Sequence, residues 1–238
     1  MSRILATNEF YHLYDRGVDK RKIFLDRSDY LRFIHDLYEF NDTNPAPQFS
    51  RRDKNVGFQK PNIKTPKASR SRDLLVNLHA FVAMPNHHHE LAEQLKESGI
   101  SLFMRKLHGG YANAFNLKRE RSGHLFQGPF KDVHIENNIQ LAHLVCYIHS
   151  NPLDLWKPGW KKKRLAAGEL KEALNFLENY RWSSHLDYLG IRNFPSVIHK
   201  EFLLKFFGGT EGYKKFFIDW LKQYQKNVDS IQDLTLEQ

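Results

Sequence analysis

The sequence contains a single cysteine, Cys146, among its 238 residues. One cysteine cannot form an internal disulfide, and it excludes a zinc site built from four cysteines. No stretch approaches the roughly twenty consecutive apolar residues that a membrane-spanning helix requires. Residues 1–7 also lack the apolar run of a secretory signal peptide. We therefore expect a cytoplasmic protein with no membrane segment.

Acidic residues are the minority charge, and glycine-rich phosphate loops of nucleotide-binding folds are missing. The chain has 27 Asp and Glu residues against 36 Lys and Arg residues, which gives a net charge of +9 with neutral histidines. This excess favours a polyanionic partner, nucleic acid first and an anionic membrane surface second. The 41% hydrophobic content suffices for one sizeable core.

The apolar pattern alternates between the period of a strand and that of a helix. Strands are predicted at 10–14, 74–84, 87–91 and 124–135, the last interrupted at 128–129, and helices at 26–38, 100–118, 140–151 and beyond 166. This order predicts an α+β fold in which a small antiparallel sheet is backed by helices.

Residues 44–72 break the pattern. They include four prolines, eight Lys or Arg residues and one acid, Asp53. The composition is typical of a long basic loop. Two interpretations stay open, a tolerated surface insertion and a flexible arm that contacts a phosphate backbone.

Three consecutive histidines follow the buried-strand pattern of residues 80–86. Alternate side chains of a strand share a face, so His87 and His89 should project together, with His88 on the opposite side. Two such imidazoles could form half of a divalent metal site, although histidines with purely structural hydrogen bonds are commoner. A third ligand would be needed.

Tyr147 and Asn151 are four residues apart on a predicted helix and should share one face. A helical tyrosine usually packs in a core, and an asparagine before a proline often ends a helix. A metal bound to the amide oxygen would instead lie near the phenol. It could then polarise a phosphodiester that the phenol attacks.

Four segments together resemble a known family. They are Tyr-His-Leu-Tyr-Asp-Arg-Gly at 11–17, Ala-Phe-Val-Ala-Met-Pro-Asn-His-His-His at 80–89, Gly-His-Leu-Phe-Gln-Gly-Pro-Phe at 123–130, and Tyr-Ile-His-Ser-Asn-Pro at 147–152, followed by Tyr-Arg-Trp-Ser-Ser at 180–184. The combination resembles the Y1 transposases of the IS200/IS605-like group, especially the repeat-associated tyrosine transposases, within the HUH endonuclease superfamily. The resemblance covers roughly residues 8–190.

The resemblance implies a ferredoxin-like sheet in a domain of residues 1–190, with 44–72 as an insertion and 191–238 as a helical C-terminal extension. It implies that His87, His89 and Asn151 bind Mg²⁺ or Mn²⁺ and that Tyr147 is the nucleophile. The implied substrate is single-stranded DNA with hairpins at repeat ends. Attack would leave a 5′-phosphotyrosine on the protein and a free 3′-hydroxyl that can later rejoin DNA.

Basic residues would supply affinity for the DNA backbone, and aromatic residues could stack on unpaired bases. The predicted DNA contacts are Arg16, Arg105, Lys106, Arg119, Arg121, Gln127, Lys131, Lys161, Lys162, Lys163 and Arg164. The relatives include dimers that exchange their tyrosine helices as well as single-chain forms, so a homodimer stays open.

The sequence also departs from the family pattern. His88 stands where a core hydrophobe is usual, Pro129 where a basic residue is frequent, and residues 153–156 replace an arginine followed by small residues. A buried imidazole without a partner would cost about 1–3 kcal/mol. His88 is therefore hydrogen-bonded, partly exposed, or the mark of a degrading copy.

Two alternatives to a strand transferase stay open. One is a domesticated or inactive protein that binds hairpin nucleic acid without cleaving it. The other is a cleaving protein of replication initiation or plasmid transfer. Those relatives usually order their motifs differently or have a second tyrosine near the first, whereas no other tyrosine lies within four residues of Tyr147.

Overall fold

The computed structural model describes residues 5–45, 72–162, 165–166 and 168–224. Most of the basic segment 44–72, together with Lys163 and Arg164, lies outside these ranges, as does the side chain of Lys162. The strands are β1 (Phe10–Arg16), β2 (Val76–Met84), β3 (His87–Gln94) and β4 (Lys131–Ile135), and the helices are α1 (Arg27–Glu39), α2 (Gly99–Lys118), α3 (Asn138–Ser150), α4 (Leu153–Trp156), α5 (Glu169–Asn179), α6 (His185–Tyr188), α7 (Glu201–Phe207) and α8 (Gly209–Lys222).

The four strands form one antiparallel sheet in the order β2-β3-β1-β4. Along the chain the elements run β1-α1-β2-β3-α2-β4, and with this strand order they give the ferredoxin-like topology. The predicted α+β class and sheet type are therefore confirmed. In the central pair, Tyr14 lies opposite His89 and Arg16 lies opposite His87. This register brings the β1 motif beside the histidines.

Helices α1 and α2 pack together on one face of the sheet. Helix α1 is capped by Asp26, whose side chain accepts hydrogen bonds from the backbone N–H groups of Ser28 and Asp29 in a capping box. Its apolar stripe includes Phe33, which is fully buried against Tyr111 of α2 with ring centroids 5.3 Å apart. Helix α3 packs on the other face, so the sheet is covered on both sides.

The sequence-based prediction was wrong at 124–130, which form no strand, and β4 is confined to Lys131–Ile135. The segment instead follows the end of β1 through a single bridge between Gly17 and Phe126. Gly17 is required there, because a Cβ atom would lie 2.3 Å from the carbonyl oxygen of Arg21. Gly128 and Pro129 then redirect the chain into β4.

Helices α7 and α8 lie within the predicted C-terminal extension 191–238, of which residues 225–238 are outside the described ranges. Helix α8 is fastened to α3 by a buried hydrogen-bond network, in which the Tyr213 hydroxyl lies 2.7 Å from Nδ1 of both His149 and His185. His149 Nε2 lies 2.7 Å from the Ser184 hydroxyl. Within the described residues, no helix combines the length and apolarity that crossing a membrane would take.

This network makes stability depend on pH. Burial lowers the pKa of His185 to about 3, so the unfolded chain takes up a proton below about pH 6.5 that the folded protein does not. The free energy of unfolding therefore decreases as the pH falls below about 6.5, the pKa of the histidine in the unfolded chain. Between about pH 7 and pH 5, urea unfolding should show the wild type losing about 2 kcal/mol more than His185→Gln. Equal losses would contradict a buried, neutral His185.

Candidate metal and tyrosine site

His87 and His89 project from the same face of β3, as the strand period predicts. Their ring centroids are 5.1 Å apart and the rings are nearly perpendicular. The Nδ1 atom of His87 lies 2.7 Å from the Asn86 side-chain oxygen, and Nδ1 of His89 lies 2.9 Å from Nε2 of His12. Because these hydrogen bonds engage Nδ1 in both rings, Nε2 is the nitrogen suited to a metal.

His89 lies in an environment that keeps its imidazole neutral. The side chain is 2% exposed. Burial, followed by the nearby His12, His87 and Lys161, holds the pKa of His89 well below its usual range. A neutral imidazole is the form that binds metals, so the ring needs no deprotonation to act as a ligand.

Tyr147 of α3 lies over the same face of the sheet, in the same chain. Its ring centroid is 5.8 Å from that of His89 and 6.2 Å from that of His12, both with edge-on geometry. Tyr147 is 1% exposed. The motif tyrosine and a motif histidine are therefore neighbours, but the phenol is covered.

Asn151 follows the end of α3 and is fully buried. Its amide nitrogen donates to the carbonyl oxygen of Tyr147 at 3.0 Å, which fixes the orientation of the amide. The amide oxygen lies 3.4 Å from the Lys161 ammonium nitrogen. The oxygen that the resemblance assigns to a metal therefore faces a cation of the protein.

The donor set fits a divalent metal in part. Two imidazoles on one strand suit Mn²⁺ better than Mg²⁺, which prefers oxygen ligands. In the part of the chain that the structure describes, no group of three His, Cys, Asp or Glu side chains is placed to hold a metal. An amide oxygen would have to complete the site, so Asn151 stays a predicted ligand.

His88 points to the opposite face, where it is fully buried and hydrogen-bonded. Its Nδ1 lies 2.9 Å from both carboxylate oxygens of Glu90, and its Nε2 lies 3.2 Å from Nε2 of His108. Burial alone would lower the pKa of His88, but the Glu90 carboxylate outweighs it and the pKa is raised. The departure from the family pattern is thus satisfied by an internal ion pair.

His108 completes this arrangement as a neutral acceptor. Burial, and then the charge on His88, hold the pKa of His108 well below its usual range. A protonated His88 can donate from both ring nitrogens, to Glu90 and to His108. The phenyl ring of Phe126 stacks on His108 with centroids 4.1 Å apart. These contacts therefore fix β3, the strand that carries His87 and His89, from the opposite face of the sheet.

A cavity of about 500 Å³ opens beside the two motif histidines. It gathers three of the predicted DNA contacts, Arg16, Gln127 and Lys131, and the Arg16 guanidinium donates to the Gln127 side-chain oxygen. Tyr14 forms part of its wall, with the Lys131 ammonium 5.8 Å from the ring centroid. This arrangement suits a nucleotide, because the cations can contact its phosphate and the aromatic ring can stack on its base.

Other predicted DNA contacts have partners within the protein. Lys106 donates to the backbone carbonyl oxygens of Asp42 and Asn44, and Arg119 pairs with Asp26 and Asp29. Arg121 donates to Asn116 and to the His124 carbonyl oxygen, whereas Arg105 is exposed on α2. None of these four side chains lines the cavity beside the histidines.

Sequence reasoning missed three residues of the site, which are His12, Tyr14 and Asp154. His12 and Tyr14 are two apart on β1 and therefore share a face, but only the β1–β3 register places that face beside His89. Asp154 lines the cavity from α4. No local signal in the sequence distinguishes it from a surface acid.

No family model matches the sequence, and no curated protein matches it at a significant level. Among solved structures, the chain is similar to a REP-associated tyrosine transposase bound to a REP hairpin. The sequence identity is 17% and the TM-score is 0.49, and the alignment covers 82% of this chain and 88% of that one.

Proposed function

We propose that the protein is a metal-dependent endonuclease and strand transferase that acts on single-stranded DNA at hairpin-bearing repeat ends. The observation that supports this best is the approach of Tyr147 to His89 within one chain, at 5.8 Å between ring centroids. A phenol beside an imidazole pair that lines a basic cavity provides the components of a phosphodiester transfer site.

In the proposed reaction the Tyr147 oxygen attacks the scissile phosphorus. The new bond joins that oxygen to phosphorus, and the bond from phosphorus to the 3′-oxygen of the upstream fragment breaks. The phenol releases its proton to water and the 3′-oxygen takes one up, so no proton is gained or lost overall. The reverse attack by a 3′-hydroxyl rejoins DNA without a nucleotide cofactor, because the phosphotyrosine conserves the phosphodiester bond.

His87 and His89, with Asn151, would hold Mn²⁺ or Mg²⁺. When bound, the metal supplies positive charge that polarises the phosphate. Other side chains position the ligands and the DNA. His12 orients the His89 ring through their hydrogen bond, and Arg16 and Lys131 provide cations for the phosphates of the DNA backbone beside the scissile bond.

A second candidate function is hairpin binding without cleavage. It is favoured by one observation, the near-complete burial of Tyr147 beneath neighbouring side chains. In that case the cavity and its cations would hold a strand that the phenol never reaches. The two functions share a ligand and differ in whether a covalent bond forms.

A covalent-adduct assay separates these functions. The wild-type protein is incubated with Mn²⁺ and single strands that contain imperfect hairpins from repeats flanking its own gene, and the products are run on a denaturing gel. A shifted protein–DNA band is expected, and a strand with a scrambled hairpin serves as the control. Tight binding with no band for any strand would overturn the cleavage proposal and favour the binding protein.

The metal requirement gives a further prediction. EDTA should abolish the adduct, and added Mn²⁺ should restore it. Titration calorimetry of the apoprotein should show Mn²⁺ binding that weakens by at least about tenfold in His87→Ala. His134→Ala, at an exposed histidine of β4, is the control. Equal Mn²⁺ affinity in His87→Ala and the wild type would rule out this ligand.

A further inference from the structure

Lys161 contacts three residues of the proposed site. Its ammonium nitrogen is 5.1 Å from the centroid of the Tyr147 ring, 2.8 Å from a carboxylate oxygen of Asp154 and 3.4 Å from the Asn151 amide oxygen. The side chain is 17% exposed. A single cation therefore contacts the tyrosine, the predicted amide ligand and an acid that lines the cavity.

The backbone around Lys161 is held by packing. Lys161 lies in a short 3-10 turn, Trp160–Lys162, that follows α4. Trp160 is 1% exposed, and its ring centroid is 4.3 Å from that of Tyr224 after α8. Trp160 thus fixes the backbone beside Lys161, while the contacts with Asp154 and Asn151 hold the ammonium itself.

The burial of Tyr147 limits how a phosphate can arrive. At 1% exposure the phenol can be reached only after side chains around its ring move, and Lys161 is one of these. An ammonium that leaves Asp154 in favour of a phosphate oxygen keeps an anionic partner throughout. This exchange spares the ammonium the large cost of a partly buried, unpaired charge, and the Asp154 carboxylate that it leaves is 33% exposed to solvent.

We propose that Lys161 is a catalytic residue whose ammonium binds a nonbridging oxygen of the scissile phosphate as Tyr147 attacks. The inference rests on the proposed function and gives Lys161 a role beyond general backbone affinity. A cation at this place stabilises the charge that accumulates on the phosphoryl oxygens, where fixed charges have their largest effect. Asp154 stores the ammonium at the cavity wall until DNA binds.

Lys157 provides a matched control. It directly follows α4, four residues before Lys161, forms a salt bridge with Glu169 and is 37% exposed. Methionine has nearly the shape of lysine without its charge. Lys161→Met should slow adduct formation by about 10²–10³-fold, Lys161→Arg should recover part of the rate, and Lys157→Met should match the wild type. Equal rates for Lys161→Met and Lys157→Met would overturn the proposal.

A binding experiment tests the phosphate contact itself. Once the adduct assay maps the cleaved position, strands are made with either a normal phosphate or a neutral methylphosphonate there. In a Tyr147→Phe background, Lys161→Met should weaken binding roughly tenfold for the charged strand and leave the neutral strand unaffected. An equal effect on both strands, or none on either, would overturn the contact.

The two proposals fail in different ways. A wild-type adduct with an unchanged Lys161→Met rate removes the role of Lys161 and leaves the strand transferase intact. A wild type that forms no adduct removes the strand transferase, and the role of Lys161 falls with it. Circular dichroism melts of each variant identify any loss that comes from unfolding.

Discussion

Exchange of Tyr147 for phenylalanine is expected to abolish the covalent protein–DNA adduct while hairpin binding persists. The substitution removes only the hydroxyl that would form the bond to phosphorus, and the ring keeps its contacts with His89 and His12. Hydrolysis by water could cut the strand, but it cannot form a covalent bond between the DNA and the protein. The adduct band on a denaturing gel, compared with binding by fluorescence anisotropy, measures both properties.

Tyr14 supplies a demanding control for this experiment. It lies on β1 opposite His89, with ring centroids 5.7 Å apart, and it lines the cavity. Burial, followed by the charge of Asp132, raises the pKa of Tyr14, and the proposed reaction does not use the Tyr14 hydroxyl. Tyr14→Phe should therefore retain the adduct. An adduct that survives Tyr147→Phe and disappears in Tyr14→Phe would move the nucleophile to β1.

Removal of one partner of the His88–Glu90 pair should cause a larger loss of folding stability than the other substitutions proposed for this protein. His88→Leu leaves the Glu90 carboxylate fully buried without its imidazole partner. Breaking a buried pair in this way costs about 3–5 kcal/mol, because the remaining charge is uncompensated. Urea unfolding followed by circular dichroism should show this decrease in the free energy of unfolding.

The double variant His88→Leu/Glu90→Leu is the informative comparison. It removes both charges from the core and places leucine where the resembling family has a hydrophobe. We expect it to be more stable than His88→Leu and close to the wild type, since a hydrophobic replacement of a buried pair is often neutral. A double variant as unstable as the single one would show that the pair is not the cause.

Local periodicity predicted much of the site. Alternation along β3 correctly put His87 and His89 on one face and His88 on the other, and helical spacing put Tyr147 near Asn151. What it could not predict was which strands pair, because that depends on contacts far apart in sequence. The stacking of His12 on His89, with ring centroids 5.0 Å apart, follows from the β1–β3 register alone.

The errors and omissions also have physical causes. Residues 124–130 have the composition of a strand, but the chain there bonds to residues beyond β1, with Val18 donating to the Leu125 carbonyl oxygen. The anomaly at His88 is resolved by Glu90, which lies two residues along the same strand and so on the same face. That spacing was visible in the sequence, whereas the approach of His108 depends on how α2 packs.

The placement of Tyr147 over His89 within one chain has a consequence for stoichiometry. If the phenol is the nucleophile, one protomer holds all the parts needed for one cleavage, and dilution does not separate them. Each chain can then retain a single 5′ end at a time. Joining two different ends would require either two molecules brought together by the DNA or two successive turnovers at one phenol. The order of cutting and joining would then be set by the DNA, not by contacts between subunits.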